Sequence, residues 1–222
     1  IPARSGSKRI KNKNINFFQK KPIISIVIKK LRKTKFFQNI YVSTDKIRIK
    51  KISEKSGAKV PFIRSKELSN DKISSREVII DMIKFLEKKK IKFDHILSVY
   101  PTSIFISKRL INHAFKLLKK NPNKFIFGAI PFQSPLERSF KLKKNKIYKP
   151  MKKKYLSKNS NNIEPSFYDS GQFYLAKKDN FKNKLSVFKK NNVAIIFKKN
   201  QCVDINDKDD WDLANIIYKN KP

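Results

Sequence analysis

Short apolar runs alternate with amphipathic helical patterns along most of the chain, and this alternation limits the possible folds more than any other feature. Residues 39–43, 95–100 and 125–130 have the length and composition of buried strands. The segments between them carry apolar residues at helical spacing, as in residues 78–86. Strands that alternate with helices favour a largely parallel sheet. We therefore predict an α/β fold, with a mostly parallel but mixed sheet and helices on both of its faces.

Several helix ends are marked by capping residues. Ser74 and Glu77 have the spacing of a capping box, and Ser107 can cap the helix that follows it. By contrast, residues 149–166 are polar and rich in Lys and Asn, so we predict a flexible loop or lid there. No internal repeat or linker divides the sequence. We therefore predict one domain over residues 1–222.

The ends of the chain and its single cysteine bear on its cellular context. The sequence opens with Ile1 rather than Met, and we expect a few residues of the first strand to precede it. Cys202 is the only cysteine, which excludes an intrachain disulfide. The sequence shows neither a signal peptide nor an apolar run long enough to span a bilayer. These features predict a cytoplasmic protein without a membrane partner.

The formal net charge of +37 admits two interpretations. A nucleic-acid-binding protein is one of them. However, only 8 of the 54 basic residues are Arg, the residue that reads bases and phosphates through paired contacts. Lys, Ile and Asn, whose codons are A/T-rich, make up 96 of 222 residues, and the lysines lie along the whole chain. We therefore favour compositional drift and predict no nucleic-acid partner.

The first fourteen residues suit a polyphosphate. Arg4, Lys8 and Arg9 surround the small residues 5–7, which directly follow two apolar residues. Small residues let backbone N–H groups approach an anion, and the cations neutralise it. Neither the P-loop pattern nor the dinucleotide-binding glycine pattern is present. A basic surface loop is the competing interpretation, although Arg is scarce in the rest of the chain.

Five segments stand in order along the chain: I-P-A-R-S-G-S-K at residue 1, V-S-T-D at 42, G-A-K-V-P-F-I-R followed by E-L-S-N-D at 57–71, Y-P-T-S at 100, and V-D-I-N-D at 203. Together they resemble the motifs of the sugar-activating cytidylyltransferases of the CMP-sialic acid synthetase family. A sixth, D-S-G-Q-F-Y at 169, resembles the branch of the family that activates pseudaminic acid more than the sialic acid branch. Tyr100, where sialic acid enzymes usually have Gln, points to the same branch.

This resemblance implies a single Rossmann-like nucleotidyltransferase domain and a reaction. The domain would join CTP to pseudaminic acid and release pyrophosphate, with Mg²⁺ as cofactor. The protein would act as a homodimer. Sialic acid or legionaminic acid as the sugar remains an alternative, and so does a catalytically impaired relative. The last alternative arises because Asn206 stands where the family has the second of two metal-binding Asp residues, and an amide brings no charge to a metal.

The resemblance also assigns roles to individual residues. The expected catalytic residues are Arg4, Lys8 and Asp204. The expected nucleotide-binding residues are Arg4, Gly6, Ser7, Lys8, Arg9, Asn14 and Arg64. The expected sugar-binding residues are Tyr100, Ser103, Gln172 and Tyr174. The expected metal ligands are Asp204 and Asn206.

Overall fold

Six α-helices occur in the part of the chain that the computed structural model describes, namely residues 1–142, 148–183, 187, 191–198 and 200–220. They are α1 (Ile23–Thr34), α2 (Ile47–Lys55), α3 (Ser75–Lys88), α4 (Lys108–Lys120), α5 (Lys178–Lys182) and α6 (Lys208–Lys219). The capping box at Ser74 and Glu77 is present, and Ser107 caps α4 through the N–H of Leu110, as predicted. These local signals placed α3 and α4 to within a residue of their observed starts.

The same ranges contain eight strands. They are β1 (Phe17–Phe18), β2 (Lys21–Pro22), β3 (His95–Val99), β4 (Ile126–Pro131), β5 (Phe140–Leu142), β6 (Tyr148–Pro150), β7 (Phe167–Lys177) and β8 (Val193–Ile196). The main sheet has the order β3-β7-β4-β8. Strand β7 is antiparallel to both β3 and β4, whereas β4 and β8 are parallel, so the sheet is mixed.

The amino-terminal segments lie side by side without forming extended ladders. Parallel bridges join Pro2 to Ser43, Tyr41 to Lys59, and Thr44 to Ile63. The run predicted as a strand at 39–43 is therefore reduced to isolated bridges. These parallel bridges still bring the basic loop that follows Pro2 next to the turns that follow Thr44 and Ile63.

Helices pack on both faces of the main sheet, as predicted. Alternate residues of β7 point to opposite faces: Phe173 and Leu175 join one buried cluster, while Tyr174 and Ala176 join another. The first cluster contains residues of α1, α4 and α6, and the second contains residues of α3 and α5. The expected α/β architecture is confirmed.

The segment before β7 is irregular where it is described. Between β6 and β7 the chain forms short 3₁₀ turns at Lys153–Tyr155 and Ser160–Asn162. Strands β5 and β6 pair antiparallel, and residues 143–147 between them lie outside the described part of the chain. The predicted movement of residues 149–166 as a lid stays a prediction. Among the described helices, none combines the length and apolarity needed to cross a bilayer.

Candidate active site

A cleft of about 610 Å³ lies where the basic loop, the turn after β3, the bend in β7 and the start of α6 meet. Ten of the thirteen residues predicted for the site line it. These are Arg4, Ser7, Lys8, Arg9, Asn14, Arg64, Tyr100, Tyr174, Asp204 and Asn206. Residues up to about 200 positions apart in sequence are thus brought to one surface.

The basic loop is held at its base by two polar contacts. The Asn14 side-chain amide donates to the Arg4 carbonyl at 2.8 Å. The backbone N–H and hydroxyl of Ser5 both donate to Asp45, at 2.7 and 2.6 Å. Asn14 is buried, so it both lines the cleft and shapes the loop. Asp45 was not among the predicted site residues.

A carboxylate on the far side of the cleft pairs with the loop cations. Asp71 forms ion pairs with Arg4 and, at 2.6 Å, with Lys8. The hydrogen bonds from Lys8 and Arg4 lower the pKa of Asp71 to about 2. Asp71 therefore lies where it would compete with an anionic ligand for the same two cations.

Arg64 presents a buried guanidinium to the cleft. Only 5% of the residue is exposed, and among the described residues its Nε and Nη2 have no hydrogen-bond partner. Burial lowers the pKa of Arg64, and attraction to Asp45 opposes this effect. A buried guanidinium with unused donors is expected to bind an acceptor of the ligand.

Lys13 also lines the cleft, and it was not among the predicted site residues. Its ammonium donates to the Ile205 carbonyl at 2.9 Å. Burial lowers the pKa of Lys13, and attraction to Asp204 opposes this effect. In a chain with 46 lysines, its position directly before the buried Asn14 was the one available signal.

Asp204 lies against the bend in β7. Gly171 has φ +60°, and a Cβ there would lie 2.8 Å from the Asp204 Cγ and closer still to Oδ1. Asn206 donates to the Asp204 carboxylate at 2.8 Å, and its own side-chain oxygen accepts from Arg9 at 3.1 Å. Burial is the main cause of a raised pKa at Asp204, and the charge on Asp169 raises it further.

A second carboxylate, also absent from the predicted residues, lines the cleft beside Asp204. Asp169 accepts from the Gly171 N–H at 3.2 Å and from the Tyr174 hydroxyl. Tyr100 packs edge-to-face on Tyr174, with ring centroids 5.9 Å apart. Burial is the main cause of the raised pKa of both tyrosines, so both hydroxyls stay protonated and can donate. Asp169 was inside a quoted motif, but its orientation depends on the bend at Gly171.

Three predicted site residues do not line the cleft. Ser103 is buried, and its hydroxyl donates to the Gln172 carbonyl at 2.6 Å and accepts from the Tyr100 N–H at 3.1 Å. Gln172 is buried and donates to the carbonyls of Ser170 and Val203. The structure therefore places both side chains behind the cleft wall and not on its surface, because each is buried and donates to backbone carbonyls. Gly6 is exposed on the loop, outside the lining.

A second cavity, of about 630 Å³, has a different character. It lies between α3, β3 and the residues around Tyr41, and aliphatic and aromatic side chains make up most of its lining. Within the described part of the chain, its lining includes only one lysine, Lys92, and no arginine. Because an anionic nucleotide needs several cations, the first cavity is the candidate active site.

Comparisons with known proteins identify the family of this chain. The family profile described as "Cytidylyltransferase" matches residues 1–219. A pseudaminic acid cytidylyltransferase of Campylobacter jejuni is 32% identical over 219 residues, which is 99% of this chain and 94% of that protein. A CMP-N,N'-diacetyllegionaminic acid synthase of Legionella pneumophila is 34% identical, but only over 54% of this chain and 51% of that protein.

The fold also matches solved structures. A CMP:2-keto-3-deoxy-manno-octonic acid synthetase, solved in complex with CTP, has a TM-score of 0.68 over 98% of this chain and 96% of its own, at 13% identity. That identity supports the fold alone. The family profile and the full-length similarity carry the assignment: the chain belongs to the cytidylyltransferase family of sugar-activating nucleotidyltransferases.

Proposed function

We propose that this chain is a CTP-dependent nucleotidyltransferase that converts CTP and pseudaminic acid into CMP-pseudaminic acid and pyrophosphate. The proposal depends most on one observation: five cations and three carboxylates line the same cleft. The cations are Arg4, Lys8, Arg9, Lys13 and Arg64, and the carboxylates are Asp71, Asp169 and Asp204. Full-length similarity to a pseudaminic acid cytidylyltransferase supports the choice of sugar.

The reaction needs positioning and charge neutralisation more than covalent catalysis. The anomeric hydroxyl oxygen of the sugar attacks the α-phosphorus, the bond from that phosphorus to the bridging oxygen breaks, and pyrophosphate leaves in line. Arg4, Lys8 and Arg9 bind the triphosphate, and Lys13 neutralises charge that develops as pyrophosphate departs. Arg64 binds the nucleotide through its unused donors.

Mg²⁺ is the proposed cofactor, and the donor set suits it. This ion prefers oxygen ligands and needs only one or two carboxylates besides phosphates. Asp204, with Asp169 beside it, supplies them. Asn206 can contribute only if its side-chain oxygen gives up the hydrogen bond from Arg9. When bound, the ion would neutralise phosphate charge and lower the pKa of the attacking hydroxyl.

The sugar-binding end of the cleft is proposed at Tyr100, Tyr174 and Asp169. Two protonated tyrosine hydroxyls and an acceptor-only carboxylate match a sugar acid that carries hydroxyl and acylamino groups. The buried Ser103 and Gln172 act there indirectly, because they fix the backbone of this wall.

Four further features of the protein are proposed with this function. The enzyme works as a homodimer in the cytoplasm, where it supplies an activated sugar for cell-surface glycan synthesis, and it has no nucleic-acid partner. The basic residues are spread along the chain and most are Lys, which supports the last statement. Duplex binding at physiological salt that is stronger than CTP binding would contradict it.

Purified protein with CTP, Mg²⁺ and a panel of nine-carbon keto acids tests the substrate assignment. We expect pyrophosphate release with pseudaminic acid and at least tenfold less with sialic or legionaminic acid, a difference of about 1.4 kcal/mol in transition-state binding. Arg4→Ala should abolish most of the release, since it removes a triphosphate ligand. Preference for legionaminic acid, which the similarity to the Legionella enzyme keeps as second candidate, would refute the sugar assignment but not the reaction.

A further inference from the structure

Both carboxylate oxygens of Asp45 accept hydrogen bonds from one residue of the basic loop. The Ser5 N–H donates to Oδ1 at 2.7 Å, and the Ser5 hydroxyl donates to Oδ2 at 2.6 Å. Asp45 itself does not line the cleft. Its contacts therefore act on the loop and not on a ligand.

The loop needs such an anchor. Residues 3–12 form neither helix nor extended strand, and they carry Arg4, Lys8 and Arg9 within six positions. Like charges this close repel one another. Their repulsion favours an open loop unless the backbone is fixed by contacts outside it.

Asp45 and Asp71 differ in the part of the loop that they bind. Asp71 pairs with the side chains of Arg4 and Lys8, which a triphosphate would also require. Asp45 binds the backbone and hydroxyl of Ser5 and leaves those side chains available. The contact at Asp45 can therefore persist when an anion binds, whereas that at Asp71 cannot.

The turn that carries Asp45 also fixes another wall of the cleft. The Thr44 carbonyl accepts from the Arg64 N–H at 2.8 Å. Two consecutive residues, Thr44 and Asp45, thus set the positions of the Arg64 backbone and of the loop. A change at Asp45 should disturb the side of the cleft proposed for the nucleotide and leave the opposite side intact.

From these contacts we infer that Asp45 is a positioning residue that holds the basic loop in the shape that binds the triphosphate of CTP. This inference rests on the proposed function of the loop. The contact between Ser5 and Asp45 should therefore affect the affinity for CTP and have no direct role in sugar binding.

Calorimetric titration of CTP into the full chain tests it. Asp45→Ala removes both contacts and should raise the Kd for CTP about tenfold, whereas Ser5→Ala removes one and should raise it about threefold. The double variant should match Asp45→Ala, because Ser5 acts through Asp45. Asp45→Asn can still bond to Ser5 and should recover most of the affinity. The KM for the sugar should change less than twofold in all of them.

Asp81→Asn is the matched control. Asp81 also attracts Arg64 electrostatically, but it has no contact with Ser5. Its Kd for CTP should stay within about twofold of the unsubstituted protein. An equal loss in this control, additive effects in the double variant, or unchanged CTP binding in Asp45→Ala would each overturn the inference.

Amide hydrogen exchange separates this inference from the proposed function. In the protein without nucleotide, the Ser5 amide should exchange slowly and lose its protection in Asp45→Ala. If the unsubstituted protein fails to bind CTP, the proposed function fails. If it binds CTP but the Ser5 amide exchanges equally fast in both proteins, the anchor itself is refuted.

Discussion

Replacing Gly171 with Ala should impair the enzyme through Asp204. The new Cβ would lie 2.8 Å from the Asp204 Cγ, well inside van der Waals contact, so the carboxylate must move by about 1 Å. A misplacement of that size costs about 100-fold in rate, or about 2.7 kcal/mol in the activation barrier. The φ of +60° at Gly171 adds roughly 1–2 kcal/mol of strain for a residue with a Cβ.

The stability and activity effects of this substitution can be separated. In a protein of this size, a loss of 1–2 kcal/mol lowers Tm by roughly 2–8 °C, so Gly171→Ala should still be folded at 25 °C. Gly57→Ala is the matched control. Gly57 has φ +96°, and its added Cβ would lie 2.7 Å from the Arg32 Cδ, but this turn at the end of α2 is not part of the cleft lining.

The assay is pyrophosphate release at saturating CTP and sugar, with Tm measured on the same samples. Both variants should lose Tm, whereas only Gly171→Ala should lose about 100-fold in kcat. If Gly171→Ala keeps the same kcat as Gly57→Ala, then the close approach of Gly171 to Asp204 does not serve the reaction. The proposed role of Asp204 would then have to be abandoned.

Three further substitutions test the charges around the cleft. Asp71→Asn should lower the Kd for CTP a few-fold in calorimetry, because the triphosphate no longer competes with a carboxylate for the loop cations; weaker binding would refute this competition. Asn206→Asp should strengthen the Mg²⁺ dependence of pyrophosphate release and tighten Mn²⁺ binding measured by electron paramagnetic resonance, and unchanged metal binding would refute a role for position 206. Burial raises the pKa of Asp204, so this carboxyl becomes protonated at a higher pH than an ordinary Asp does. As the pH is lowered, kcat should therefore begin to fall at a pH above the usual pKa range of Asp. The folded-state pKa is raised, so ionisation of Asp204 reduces stability as pH rises through it, and Asp204→Asn should raise Tm at pH 7 while abolishing activity.

Local sequence signals predicted the parts of the fold that depend on neighbouring residues. The start of α3 follows from Ser74 and Glu77, since a capping box involves residues three apart. The length of β7 could not be predicted in the same way. Residues 167–171 contain polar residues and a glycine. They adopt strand conformation because β4, about 40 positions earlier in the chain, pairs with them.

The same distinction holds for the site. The cations of the basic loop were found because they lie together in sequence. The contacts that orient this loop join residues 40 and 67 positions apart, namely Ser5 with Asp45 and Arg4 with Asp71. Gln172 was expected in the cleft, but its side chain is buried and donates to the carbonyls of Ser170 and Val203. Such orientations depend on sheet pairing, which the motif alone does not specify.

The carboxylates identify the active site of this chain more specifically than the cations do. With 54 basic and 17 acidic residues, any patch of surface contains Lys, and loss of one lysine leaves others within the range of the field. Three acidic residues line the candidate site, namely Asp71, Asp169 and Asp204, and Asp45 anchors its basic loop, each with a different geometry. A carboxylate so placed in a basic protein orients specific groups, because its attraction to distant lysines is screened and undirected. Substituting the acidic residues should therefore map the site with larger and more selective effects than substituting the lysines.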